Sequence, residues 1–273
     1  MQKCLFRQFS QERRTYGARP GKATAAIRFE DVEKTLDGRK VLDHVNLEIP
    51  ANRITAIIGM SGGGKSVTLK HMIGLMKPDA GKVWVGDQDI SSLSGNKLNA
   101  IRRQFSMLFQ GGALFDSMNV RENVAFPLRE KTDLPDHEIA QRVQKCLSEV
   151  NLRGMGGKFP DELSGGMRKR AALARAMVTD PEILLLDEPT AGLDPIIENA
   201  IHYLICQTYL RTRYTMVVIS HAVPEIFNWC HHAVVLHQGR ILASEPSQEI
   251  KNSTNPIIRQ FINGELEGPI KVV

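Results

Sequence analysis

Cysteine is scarce: four residues, Cys4, Cys146, Cys206 and Cys230, stand far apart in 273, with no C-x-x-C pair. That spacing excludes a disulfide framework and a thiolate metal cage, and predicts reduced thiols in a cytosolic protein. No stretch approaches the roughly 18 uninterrupted apolar residues that a membrane span needs. Nor does the globular part carry an excess of one charge. The net charge of +5 is already reached within the first 22 residues, where Lys3, Arg7, Arg13, Arg14, Arg19 and Lys22 face only Glu12. Everything after residue 22 therefore sums to zero, which excludes a basic nucleic-acid surface on the body of the protein. Residues 1–24 read as a basic, flexible tail, with Arg19-Pro20-Gly21 and little periodicity. The tail lacks the apolar core of a secretory signal, though its arginines leave a transit peptide open. Contact with anionic lipid headgroups is one use for such a segment.

What is present is an alternation of apolar strands and amphipathic helices long enough for one sizeable core with a subdomain. Ile27, Phe29, Val45, Leu47 and Ile49 alternate with polar positions, as in a small antiparallel sheet. The stretch from Gly111 to Pro160 reads as helical. Ile139, Val143, Leu147 and Val150 fall on one face there, and Pro135 suits a first helical turn. A helix near Ile196–Leu210 and a strand at Thr215–Ser220 continue the α/β alternation. Ala233–Leu236 with Gln238-Gly239 reads as a hairpin, so His231, His232 and His237 are expected to be structural and not metal ligands.

Gly59-Met60-Ser61-Gly62-Gly63-Gly64-Lys65-Ser66 follows the apolar strand Ile54–Ile58 and opens a helix carrying Val67, Leu69, Met72, Ile73 and Met76. Strand, loop and helix in that order are what a phosphate-binding loop requires. Glycines let successive N–H groups turn toward one anion, and the helix start adds its positive dipole end. Lys65 is expected to reach the β- and γ-phosphates of ATP, and Ser66 to ligate Mg²⁺. A second apolar run, Ile183–Leu186, ends in Asp187-Glu188-Pro189-Thr190. It reads as a buried parallel strand that delivers two acids where ligands gather in open α/β sheets. Asp187 would hold Mg²⁺ and Glu188 would polarise the attacking water.

With Leu163-Ser164-Gly165-Gly166 leading into a helix from Met167 to Thr179, the chain resembles the ATPase subunits of ABC transporters over roughly residues 27–245. The resemblance also rests on Gln110 after Met107-Leu108-Phe109, on Gly192-Leu193-Asp194, and on His221 after Met216–Ser220. It implies an α/β fold: a RecA-like P-loop ATPase core with an antiparallel β subdomain and an α-helical subdomain at about 111–164. Residues 25–245 would be the ATPase domain and 246–273 a C-terminal extension. Gln110 would sense Mg²⁺ and the attacking water, His221 would contact the γ-phosphate and position Glu188, and Asp194 would lie across a homodimer interface. Ser164, Gly165 and Gly166 of one subunit would cap the ATP held by the other.

A narrower resemblance, to the Mla-type ATPases of phospholipid traffic between Gram-negative membranes, is carried by Leu108–Ser117, Asn123–Glu130, Leu163–Arg170 and Gln260–Gly264. It implies a peripheral protein on the cytoplasmic side of the inner membrane. Its implied partners are an integral-membrane permease (MlaE-like), an MCE-domain protein (MlaD-like) and a STAS-domain protein (MlaB-like). Phospholipid would be handled by the complex and not by this chain, no nucleic acid is expected, and the C-terminal extension would reach the neighbouring ATPase. Leu114, Phe115, Met118, Val120, Val124 and Phe126 divide between core positions and a groove for a permease helix.

Three positions depart from the wider family. Met167 stands where most members carry Gln. Leu36 stands near the place of the aromatic that stacks on adenine, so a contact worth about 1–3 kcal/mol is lost and ATP and GTP remain open as alternatives. Val67 replaces a hydroxyl residue and removes one phosphate hydrogen bond. A soluble ABC ATPase of an assembly scaffold would show the same motifs, and so would the ATPase of an amino-acid or metal importer.

Overall fold

Apolar residues at every second position of 25–50 need a sheet with one dry face. In the computed structural model, which describes residues 25–271, β1 (Ala25–Leu36) pairs antiparallel with β2 (Arg39–Pro50). Ile27 stands opposite Ile49, Phe29 opposite Leu47 and Val32 opposite Val45, all six buried. Asp37 and Gly38 both take positive φ, the turn geometry that suits the twist of a two-residue hairpin. The basic tail at 1–24 lies outside the described residues. Next come β3 (Ile54–Ile58), buried throughout, and α1 (Lys65–Met72). Then β4 (Ala80–Val85) and β5 (Gln88–Asp89) complete a four-stranded sheet in the order β2-β1-β4-β5, and α2 (Gly95–Arg102) follows. These elements belong with the chain from Arg213 onward, whereas Arg103–Thr212 form a second compact unit.

In that second unit β6 (Phe105–Leu108) runs parallel to a later strand, and α3 (Val120–Lys131) begins at a capping box. Asn119 Oδ1 accepts from Glu122 N–H at 2.9 Å, and Glu122 Oε2 accepts from Asn119 N–H at 2.8 Å. In α4 (Asp136–Glu149) the face of Ile139, Val143 and Leu147 is buried, and Pro135 stands one position before the first turn, as the cap. The expected helix over all of 111–160 is thus two helices between irregular segments. The reason is local: Gly112, Gly154, Ala113 and Asn151 take positive φ, a conformation that a helix cannot contain. α5 (Gly165–Met177) starts two residues earlier than Met167 because Ser164 caps it. β7 (Ile183–Asp187) pairs with β6, Phe105 opposite Ile183 through Leu108 opposite Leu186. α6 (Pro195–Thr212) closes the unit.

The chain returns to the first unit with β8 (Thr215–Ile219) and β9 (His232–His237), which flank β3 in parallel on its two sides. β10 (Arg240–Pro246) pairs antiparallel with β9 across Gln238 and Gly239, again two positive-φ residues. All five residues of β3 and of β8 are buried, and each larger apolar side chain so buried contributes about 1.5–3 kcal/mol. α7 (Ser247–Lys251) and α8 (Pro256–Asn263) follow; Asn255 caps α8 and Gly264 ends it in a left-handed conformation. Among the described residues no helix is long and apolar enough to cross a membrane.

Candidate nucleotide site

β3 delivers Gly59 at φ +151°, in the cleft beside β9. A Cβ there would lie 2.0 Å from the Leu236 carbonyl oxygen, so only glycine admits so close a backbone approach. Gly64, at φ +100°, caps α1, and no acid in the first turn opposes its positive end. The Lys65 ammonium is buried and donates to the carbonyl oxygens of Gly59 and Met60, each at 2.8 Å, which folds the side chain back over its own loop. The hydroxyl beyond Val67 is also committed: Thr68 Oγ1 donates to the Gly64 carbonyl at 3.0 Å. Residues 60–63 open on a cavity of about 590 Å³, whose walls include Arg39, Lys40 and Val41 from β2. Leu36, at the end of β1, is not among its lining residues. His221, exposed, follows β8 two residues past its end, and its carbonyl accepts from Val223 N–H at 2.9 Å.

The second unit brings its own set together. β7 ends on Asp187, which is buried, and the chain turns sharply at Glu188 with φ +47°. Gln110 Nε2 donates to Glu188 Oε2 at 2.7 Å. Beneath them lies Lys169 of α5, buried, whose ammonium donates to the backbone carbonyls of Gln110 and, at 3.3 Å, of Glu188. Burial lowers the Lys169 pKa, against the opposing pull of the Glu188 and Asp187 charges. Ser164 Oγ accepts from Met167 N–H at 3.3 Å and so caps α5, whose first turn also carries no acid. A Cβ on Gly166 would come 2.5 Å from Ile197 Cγ2, so α5 and α6 approach closely at this turn. Asp194 Oδ1 accepts from Ile196 and Ile197 N–H, both at 3.1 Å, and so caps α6.

Two residues that sequence reasoning passed over organise the segment after Gln110. Asn123, fully buried, donates to the carbonyls of Phe115, Met118 and Asn119 and accepts from Phe115 N–H at 2.8 Å. Arg175 donates to the carbonyls of Gly112 and Ala113, both at 2.7 Å, with its guanidinium 5.9 Å from the Phe115 ring. An Asn in a helix is weak information alone; its value here comes from the turn it happens to face.

Two of the three histidines near β9 have polar partners within the fold. His231 Nδ1 accepts from Ile54 N–H at 3.1 Å, and His232, with Ser244 Oγ 3.0 Å from its Nε2, has its pKa lowered by burial to about 4. The one cluster among the described residues with ligand atoms close enough for a metal, Asp31, Glu33 and His44, was not singled out from sequence. Lys40 Nζ, 2.7 Å from Glu33 and shared with Asp43, places one opposing charge beside it.

A phosphate loop, a strand ending in two acids, and a helix capped by Ser-Gly-Gly are the parts of one known family. Its sequence profile, ABC transporter, matches residues 42–191. The chain belongs to the ABC transporter family. Within it, the chain is 40% identical over 244 residues to the intermembrane phospholipid transport system ATP-binding protein MlaF of Escherichia coli strain K12, a match covering 89% of this chain and 91% of that protein. It is 40% identical over 245 residues to the probable ribonucleotide transport ATP-binding protein mkl of Mycobacterium tuberculosis strain H37Rv, covering 90% of this chain and 68% of that one. The fold is similar to the dimeric, post-hydrolysis state of the ATP-binding cassette MJ0796 bound to ADP and Pi, with TM-score 0.73 and 29% identity over 81% of this chain and 98% of that one. As an ABC ATPase, this protein binds ATP and hydrolyses it.

Proposed function

We propose that the chain is the ATP-hydrolysing subunit of an Mla-type transporter that moves phospholipid between the inner and outer membranes. The observation that carries this reading is the alignment to MlaF, which runs nearly end to end on both proteins. Residues 25–245 act as the ATPase domain, and the chain works peripherally on the cytoplasmic side of the inner membrane. An MlaE-like permease, an MlaD-like MCE-domain protein and an MlaB-like STAS-domain protein complete the complex.

Two copies pair head to tail. Residues Gly59–Ser66 of one subunit hold the triphosphate by their amides, with Lys65 leaving its loop carbonyls for the phosphate oxygens. Ser164, Gly165 and Gly166 of the partner subunit cap the γ-phosphate at a helix start, and Asp194 lies at the interface. Glu188 draws the proton from the attacking water while Gln110 and His221 orient it. Mg²⁺ would be held by hard oxygen donors, Ser66, Asp187 and the side-chain carbonyl oxygen of Gln110, whose Nε2 donates to Glu188, and it would supply charge neutralisation at the β- and γ-phosphates. Only the closed dimer makes both sets of phosphate contacts, so ATP shifts the equilibrium toward closure and its cleavage releases it.

The test is reconstitution. The tagged chain, purified with its membrane partners into vesicles, should drive ATP-dependent movement of a fluorescent phospholipid, and Glu188→Gln should stop it. Ribonucleotide uptake without lipid movement would favour the second reading, which rests on the mycobacterial relative's name. Recovery of an active ATPase from the soluble fraction alone would favour an assembly scaffold.

A further inference from the structure

The C-terminal segment is tied down by an unusual device. Gln260 lies in α8 on the side turned away from Ile258 and Ile262, yet it is as buried as they are. A buried amide needs partners, and it finds them beyond the end of its own helix. Its Nε2 donates to the carbonyls of Glu265 at 3.2 Å and Ile270 at 2.9 Å, and its Oε1 accepts from Ile270 N–H at 2.7 Å. The paired bonds to Ile270 imitate one rung of a β-ladder, with a side chain in place of a strand. Gly268, at φ +152°, permits the approach, since a Cβ there would come 2.5 Å from Gln260 Cδ. The consequence is positional: Pro269, Ile270 and Lys271 line the same 590 Å³ cavity as residues 60–63 of the phosphate loop.

That cavity combines residues 60–63 of the loop with three cations, Arg39, Lys40 and Lys271. Of its cations, Lys40 is engaged by Glu33 and Asp43, at 2.7 and 3.0 Å. Arg39 and Lys271 carry no ion pair among the described residues. We propose that the C-terminal segment, clipped in place by Gln260, is a wall of the nucleotide site of its own subunit, with Lys271 its charged contact to the bound nucleoside phosphate. This rests on the reading that residues 59–66 hold the nucleotide. It assigns to the extension a role within one chain, separate from the reach toward a neighbouring ATPase that the family resemblance implies.

Fluorescent MANT-ADP, which lacks the γ-phosphate that a partner subunit would cap, measures this on the full chain without requiring closure. Stopping the chain after Gly268 should raise Kd about tenfold, equivalent to about 1.4 kcal/mol. Lys271→Ala, at an exposed position, should give a several-fold rise that shrinks in high salt. Gln260→Ala should reproduce the effect of the stop, provided thermal melting shows the variant folded; the exposed Lys271→Ala decides the matter if it is not. Unchanged Kd in the stopped chain and in Lys271→Ala would overturn the proposal, and so would tighter binding, which would mean that the segment blocks the cavity. Lys65→Ala serves as the separate control: if it keeps MANT-ADP affinity, it is the reading of the phosphate loop that fails.

Discussion

Gln110 and Glu188, 78 positions apart in sequence, are joined by a 2.7 Å hydrogen bond from Nε2 to Oε2. The amide fixes the carboxylate's rotamer and occupies one of its oxygens. Glu188→Gln removes the proposed base while keeping the shape. The variant should bind ATP, accumulate as a closed dimer, and lose turnover by about 100-fold or more, the usual scale for a general base. Phosphate release and size-exclusion chromatography with ATP check both halves. Turnover near the parental rate would show that another group takes the proton.

Lys169 holds the backbone of both these residues from below. Replacing it by Met keeps the length and apolar stem but leaves two carbonyls without their cation. A charge-assisted hydrogen bond contributes about 1.5–3 kcal/mol, so kcat should fall about 10- to 100-fold. Because the proposed phosphate contacts, residues 59–66, lie elsewhere, KM should change little, and Lys169→Arg should restore part of the rate. A matching loss in KM would instead mark the substitution as a general disruption of the unit.

The phosphate loop was legible from sequence because its conformation is a local consequence of glycines between a buried strand and a helix. The acid-tipped strand was legible for the same reason, since four consecutive apolar residues before Asp187 admit little else. Lys169, Asn123 and Gln260 were not. Each acts on backbone groups that the fold brings to it, and a polar residue at a helical position gives no sign of which carbonyl it will meet. The segment 111–119 was read as part of one helical stretch to Pro160 from the periodicity of Ile139 to Val150, while Gly112 and Ala113 at positive φ impose a turn. Leu36 was placed by its distance from the loop; it does not line the cavity at residues 60–63, whose β2 wall is Arg39 to Val41.

The surface after Gln110 presents Phe115 to solvent, edge-on to Phe126 with ring centroids 4.9 Å apart. Phe115→Asp should abolish assembly with the permease and leave nucleotide affinity unchanged, measured by co-purification in detergent and MANT-ADP titration. Asn123→Ala attacks the same surface from inside. Its side chain makes four hydrogen bonds to the turn that carries Phe115, so the variant should lose about 1–3 kcal/mol of stability in urea unfolding and assemble weakly. Normal assembly by both variants would place the permease contact elsewhere.

Acid should weaken the fold through His232. Burial lowers its pKa to about 4 from the ordinary value of 6.5, so the neutral imidazole is the native form. Above pH 6.5 the folded and unfolded chains bind the same number of protons at this site, and its contribution is complete. As pH falls from 6.5 toward 4 the unfolded chain takes up a proton that the folded chain refuses, and stability declines. A shift of this size corresponds to roughly 3 kcal/mol once pH is below 4. His232→Gln cannot take up that proton and keeps a polar group toward Ser244. Its urea-unfolding free energy should therefore change less between pH 7 and pH 5 than that of the parent. Parallel pH profiles for the two proteins would mean that the acid sensitivity arises at other groups, of which His202, also lowered by burial to about 4, is the first to substitute in the same way.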